Sequence, residues 1–138
     1  MDELKNILGD DKLSEAILNR LSSLGYTVKK EDAWAIAYAV QSVQNYIKNS
    51  CNVTSVPEGL FHVLVDRSCG EFLYNQKQSG RLDIAGIDLS GAIKQISEGD
   101  TSVTFADGTS DEQKFGQLLN TLRTVGEGEF VCYRRLVW

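Results

Sequence analysis

His62 is the single imidazole of the chain, and a nucleophile built on it would take its sulfur from Cys51, Cys69 or Cys132. Acyl transfer needs such a base within hydrogen-bond reach of a thiol or hydroxyl. His62 stands between Phe61 and Val63 on a stretch of helical periodicity, where a partly buried structural imidazole is the expected role. The three cysteines are widely spaced, form no CxxC pair and share one histidine, a poor donor pattern for zinc. Reduced thiols packed as small apolar groups are expected instead, so no metal and no cofactor is assigned. Two carboxylate pairs, Asp10-Asp11 and Glu31-Asp32, have the composition of a general acid and base, but each stands where a helix starts. Capping of free backbone N–H groups and complementation of the helix dipole account for both.

Phosphate chemistry requires glycines between a strand and a helix. Gly25, Gly80, Gly86, Gly91, Gly126 and Gly128 fall into neither GxxxxGK[ST] nor GxGxxG. Asn52-Val53-Thr54 matches a glycosylation triplet, which has no force in a chain whose first residues, Met1-Asp2-Glu3, are acidic where a secretory signal is basic. No run of apolar residues approaches bilayer length, so no membrane association and a cytosolic site of synthesis are expected. Arg134 and Arg135, set among Tyr133, Leu136 and Trp138, are suited to phosphate pairing with stacking, or to anchoring a protein interface. Tyr, Trp and Arg are the types most enriched as interface anchors, which favours the protein contact. The formal net charge of −5 also opposes binding to DNA through counterion release. No residue set carries a mechanism, and the chain is expected not to be an enzyme.

The elements that must hold these residues follow from periodicity. With 138 residues, 42% of them hydrophobic and 24% charged, the chain is expected to form one domain over 1–138 with one modest core. Leu13, Ile17, Leu21 and Leu24 mark a helix over about 11–24, opened by Asp11 as N-cap and ended by Gly25. Ala33, Ile36, Ala37, Val40, Val43 and Ile47 stripe a second helix over about 29–49, whose alanines invite close packing. Ser55-Val56-Pro57-Glu58 has the pattern of a capping box, opening a third helix over about 56–78 through Leu60, Phe61, Leu64, Val65, Cys69, Phe72 and Leu73. The short link predicts that the second and third helices are antiparallel.

Residues 81–91 favour neither helix nor strand. Over about 92–106, β-branched runs flank Glu98-Gly99-Asp100 and predict a hairpin, with Ile93, Ile96, Gly99, Val103 and Phe105 as its candidate contact residues. An isolated hairpin is marginal in water and asks for a partner. Ser110-Asp111-Glu112-Gln113 is a second capping box, starting a helix over about 111–125 striped by Phe115, Leu118, Leu119, Leu122 and Val125. An extended tail, 129–138, closes the chain with Phe130, Tyr133, Arg134, Arg135, Leu136 and Trp138, more aromatic than free termini usually are. The expected fold is therefore mainly α: a small antiparallel helical bundle with one β-hairpin and an extended C-terminal tail.

Several segments resemble a known family. They are Lys29-Lys30-Glu31-Asp32-Ala33-Trp34, Ile47-Lys48-Asn49-Ser50-Cys51-Asn52-Val53 leading into Val56-Pro57-Glu58-Gly59-Leu60, and Val65-Asp66-Arg67-Ser68-Cys69-Gly70-Glu71-Phe72-Leu73. In the C-terminal part they are Ile96-Ser97-Glu98-Gly99-Asp100-Thr101-Ser102-Val103-Thr104-Phe105 and Tyr133-Arg134-Arg135-Leu136-Val137-Trp138. In this order they resemble the head-tail connector (adaptor) proteins of long-tailed phages and of prophages in Gram-positive bacteria, over most of 27–138. The resemblance implies a structural virion protein made in the host cytoplasm and placed at the neck, at the portal vertex. It implies a homo-oligomeric ring, usually of about twelve subunits, joined to the portal on one side and to a neck or tail-completion protein on the other. DNA would pass through the lumen without sequence-specific binding. The tail residues would then contact the portal, and the hairpin residues a neighbour in the particle. A second class fits the residues alone: a small non-enzymatic regulatory domain that binds a protein or a nucleic acid, for which salt-sensitive DNA binding through Arg134 and Arg135 is the mark.

Overall fold

The computed structural model describes residues 2–82 and 110–130. Five α-helices pack together there: α1 (Asp2–Leu8), α2 (Asp11–Ser23), α3 (Ala33–Cys51), α4 (Phe61–Gln78) and α5 (Asp111–Thr124). Short 3-10 turns precede α3 (Lys30–Asp32) and α4 (Glu58–Leu60), and another follows α5 (Glu127–Glu129). The protein is thus mainly helical, and the described residues contain no strand. The hairpin expected over 92–106 lies outside the described residues, as does the tail from residue 131 onward.

Helix α4 is the axis of the bundle. Its buried residues are Val63, Leu64, Val65, Arg67, Ser68, Cys69, Gly70, Phe72, Leu73 and Gln76, spread around the helix rather than along one stripe. Contacts define the directions of its neighbours. Asp32 and Tyr46 of the α3 side meet Gln76 and Arg67 of α4, so α3 and α4 are antiparallel, as the short link predicts. Arg123 and Phe115 of α5 meet Glu71 and Lys77, making α5 antiparallel to α4 as well. Helix α2 runs the other way: Lys12, Arg20 and Tyr26 meet Phe61, Asp66 and Phe72 in rising order, which makes it parallel to α4.

Three helices can surround a fourth only if its crossing points are narrow, and Ser68-Cys69-Gly70 supplies a waist of small side chains. The Cys69 sulfur lies 3.8 Å from the Ile17 carbonyl oxygen of α2. A Cβ placed on Gly70 would stand 2.7 Å from the Leu122 Cβ of α5, closer than side-chain atoms approach. Ala33, Ala37 and Ala39 of α3 are buried, in keeping with the close packing their size invites, and α1 packs against α3 with Leu4 fully covered.

The helix ends differ in part from expectation. The N-cap of α2 is Asp10, whose Oδ1 accepts from the Leu13 N–H (3.1 Å), and Asp11 is the first helical residue. Either carboxylate of the pair satisfies the cap rule, and the register is fixed by α1, a helix too short for its period to stand out. At Gly25 the chain leaves α2 as expected: Tyr26 N–H donates to Leu21 O and Gly25 N–H to Ser22 O, both 3.0 Å, a paired arrangement that uses the last carbonyls. The box at Ser55-Val56-Pro57-Glu58 does not form; Pro57 itself is the cap residue of a 3-10 turn and no side chain caps it. Pro57 with extended φ and ψ of −59° and 143° starts the turn without help from Ser55. The second box does form, with Ser110 and Gln113 exchanging backbone-to-side-chain bonds of 3.2 Å in both directions.

Gly70→Ala is expected to destabilise the fold by about 1–3 kcal/mol, because α4 and α5 must separate to admit the methyl group. Gly116→Ala, on α5 where nothing lies within 4 Å of an added Cβ, is expected to stabilise it by roughly 0.5–1 kcal/mol through helix propensity alone. Urea unfolding of the two variants measures both; equal effects would contradict the close crossing at Gly70.

Candidate functional site

Helices α3 and α5 lie on either side of α4 and leave a groove of about 460 Å³ over its outer surface. Ser42 and Tyr46 line it from α3, Arg67 and Glu71 from α4, and Asn120 and Arg123 from α5, with Glu127 closing one end. Arg67 is the densest point. Its side chain is 6% exposed, and taking a cation out of water requires that its donors and its charge be answered. The Nε–H donates to the Val125 carbonyl at 2.7 Å, and Nη2 donates to Glu127 Oε2. The guanidinium lies 5.1 Å from the Tyr46 ring centroid and 4.9 Å from that of Phe130, so its faces meet aromatic surface. Tyr46 Oη donates to the other oxygen of Glu127 at 2.9 Å, closing a cycle of three side chains.

Local structure puts these groups together. Thr124 ends α5, Val125 turns the chain outward, and Gly126 takes φ 76°, the left-handed region, while pressed against Val63 where a Cβ would collide. That turn aims the Val125 carbonyl and the Glu127 carboxylate back at Arg67. The guanidinium and the Tyr46 hydroxyl hold the Glu127 carboxyl below the usual glutamate range. Beside this cluster, Arg123 Nε donates to Glu71 Oε2 at 2.9 Å, and the Arg123 guanidinium stacks 3.9 Å from the Tyr74 ring. Two cations and two carboxylates thus pair off within the groove. The arrangement fixes the segment after α5 onto α3 and α4; it presents no activated nucleophile.

The residues singled out from sequence are distributed as follows. Phe130, grouped there with the tail, belongs to the core: it is 2% exposed, sits edge-on to Tyr46, and its carbonyl oxygen lies 3.7 Å from the Cys51 sulfur. Tyr133, Arg134, Arg135, Leu136 and Trp138, and the hairpin residues Ile93, Ile96, Gly99, Val103 and Phe105, lie outside the described residues. His62 is exposed rather than partly buried, on the first turn of α4 beside a hollow of about 370 Å³ that it shares with Asp66 and Arg20. Burial pushes the Asp66 carboxyl above its ordinary range even though Arg20 Nε donates to it at 2.9 Å.

Cys51 and Cys69 are both fully buried in the core. Burial raises the Cys69 thiol far above its ordinary value, the opposite of what activates a nucleophile. Among the described residues no group of three or more His, Cys, Asp and Glu side chains could hold a metal ion.

Asp32 caps, but not only caps. It is 4% exposed, its Oδ2 accepts from the Lys29 N–H (2.9 Å) and from Tyr26 Oη (2.8 Å), and Gln76 of α4 donates to Oδ1 (3.3 Å). Burial and this carboxylate push the Tyr26 hydroxyl up to about 12.

Sequence inspection also misses the outer face of α3. Trp34 and Tyr38 are 73% and 69% exposed and one helical turn apart, while Tyr46 further along is 44% exposed. The signal was present as aromatics at the positions left over by the apolar stripe.

No protein family, curated protein or solved structure was found to match the chain.

Arg67→Met is expected to lower stability by about 1–3 kcal/mol through the lost charge-assisted bonds, and Arg67→Lys to recover little, because an ammonium lacks the planar fork. For Glu127 the folded carboxyl titrates below its unfolded range. The advantage of the wild type over Glu127→Gln is therefore present at neutral pH and disappears as pH falls through the glutamate range toward the depressed folded value. Denaturant midpoints of both proteins across acid pH test this; a difference that grows on acidification would contradict the pairing.

Proposed function

We propose that the protein is a structural adaptor subunit of a phage or prophage particle, forming a ring that joins the capsid portal to the neck and continues the DNA channel. Support comes first from the segments that resemble the head-tail connector family. Three of them belong to the described bundle: the entry to α3, the turn from α3 into α4, and the small-residue waist of α4. The hairpin over 92–106 and the extended tail remain part of this proposal, each expected to be completed by a strand from another subunit.

The observation that carries the proposal is the rooting of the last residues. A segment that docks on a large assembly transmits force only if its base is fixed. Here the base is Phe130, buried and held between Tyr46, Arg67 and Cys51 by the clamp at the end of the groove. The eight residues beyond it carry Tyr133, Arg134, Arg135 and Trp138, the side-chain types that anchor interfaces.

Deletion of residues 131–138, leaving Phe130 in place, is expected to preserve the thermal melting profile and abolish docking onto portal-containing heads. Phe130→Ala is expected to lower stability as well, by about 3–5 kcal/mol for a large core ring. Infectious particles assembled from the 131–138 deletion would overturn the adaptor proposal for this segment. Salt-sensitive DNA binding abolished by replacing Arg134 and Arg135 would favour the regulatory domain instead.

A further inference from the structure

From Ala33 to Ile47 the sequence contains no Asp, Glu, Lys or Arg. The outward half of that stretch presents Trp34, Tyr38, Gln41, Ser42, Asn45 and Tyr46, three of them large aromatics. The exposed positions of the other described helices are different in kind. On α2 they include Asp11, Lys12 and Glu15, and on α5 Asp111 and Glu112. Interface cores are depleted in charge and enriched in Trp and Tyr, and among the described residues this is the surface with that composition.

We infer that this α3 face pairs with the same face of a second copy of the chain. The argument is electrostatic. Two copies each of formal charge −5 repel, and they approach at least Coulomb cost through a stretch of helix on which neither carries an Asp, Glu, Lys or Arg. Placing the same face against α2 or the start of α5 of another copy would strip water from Asp11, Glu15, Asp111 or Glu112 with no cation between Trp34 and Tyr46 to answer them. Against a basic or acidic partner it offers no complement, and against nucleic acid no cation. A face that is uncharged on both sides is best matched by itself, and a contact of a patch with its own copy is isologous.

The pairing is expected to be weak. A stable dimer buries roughly 800 Å² on each partner. A stripe reaching from Trp34 to Tyr46 is about 18 Å long at the helical rise, with the width of a single helix, and covers less than that. Self-facing pairs do not close a cyclic ring, whose contacts run head to tail, so this association is separate from the adaptor ring and stands without it.

Sedimentation velocity of the full chain from roughly 10 µM to 1 mM provides the test. The weight-average mass is expected to rise from 15.3 kDa toward twice that value as concentration increases. Tyr38→Glu and Tyr38→Lys, at a position exposed enough to leave the melting profile unchanged, are each expected to stay monomeric. An equal mixture of the two is expected to regain association, because a self-facing contact brings the introduced carboxylate close to the introduced ammonium. A wild-type mass that stays at the monomer value throughout would overturn the inference. So would self-association of the Tyr38 variants that matches the wild type. Loss of portal docking in the 131–138 deletion is read on particles, so either result is free to fail alone.

Discussion

Helix α4 has almost no side facing water, and that constraint organises the rest of the molecule. A helix enclosed by α2, α3 and α5 buries side chains around its whole circumference, and each neighbour must come near enough to exclude solvent. Small residues at the crossings make this possible. At Gly70 the backbone of α4 all but touches α5, and at Cys69 it approaches α2 through a thiol in place of a larger group. The charged side chains that α4 carries are forced to find partners inside the bundle: Arg67 with Glu127, Asp66 with Arg20, Glu71 with Arg123. Each of these pairs ties α4 to a different stretch of chain, so the polar contacts repeat the architecture set by the apolar ones.

Much of this architecture is written in the sequence as period and punctuation. The stripe from Ala33 to Ile47 and the box at Ser110 and Gln113 predict α3 and the start of α5, because each depends on residues a turn apart. Where the outcome depends on distant chain, local pattern fails. Asp10 and Asp11 are equal candidates for the cap until α1 is known to end at Leu8. Ser55 has the right neighbours for a box, yet Pro57 sets its own turn. Helix α1 has three apolar residues, Leu4, Ile7 and Leu8, too few to declare a period. The groove is the least legible feature: its arginine and glutamate are separated by sixty positions, and nothing in the surroundings of either residue foretells their meeting. By sequence Phe130 begins an aromatic run and reads as part of the tail, whereas packing joins it to the core.

The two outward-looking features of the protein share an origin. Tyr46 belongs both to the clamp that roots the last residues and to the aromatic face of α3. Its ring borders Arg67 and Phe130 on one side, and its hydroxyl reaches Glu127. A residue of this kind is partly exposed because it is shared. The bundle holds the α3 surface and Phe130 at a fixed separation.

Asp32 has a consequence for how the molecule comes apart. Its carboxylate joins the backbone of Lys29, the phenol of Tyr26 and the amide of Gln76, so the link between α2 and α3 is bonded to the far end of α4. Connecting segments of this length usually breathe on their own, opening at little free energy while the helices stay formed. Opening this one would strand a buried carboxylate's partners and release the 3-10 turn that leads into α3. The link is thereby enrolled in the same cooperative unit as the core, and its amides share the protection of the helices it connects.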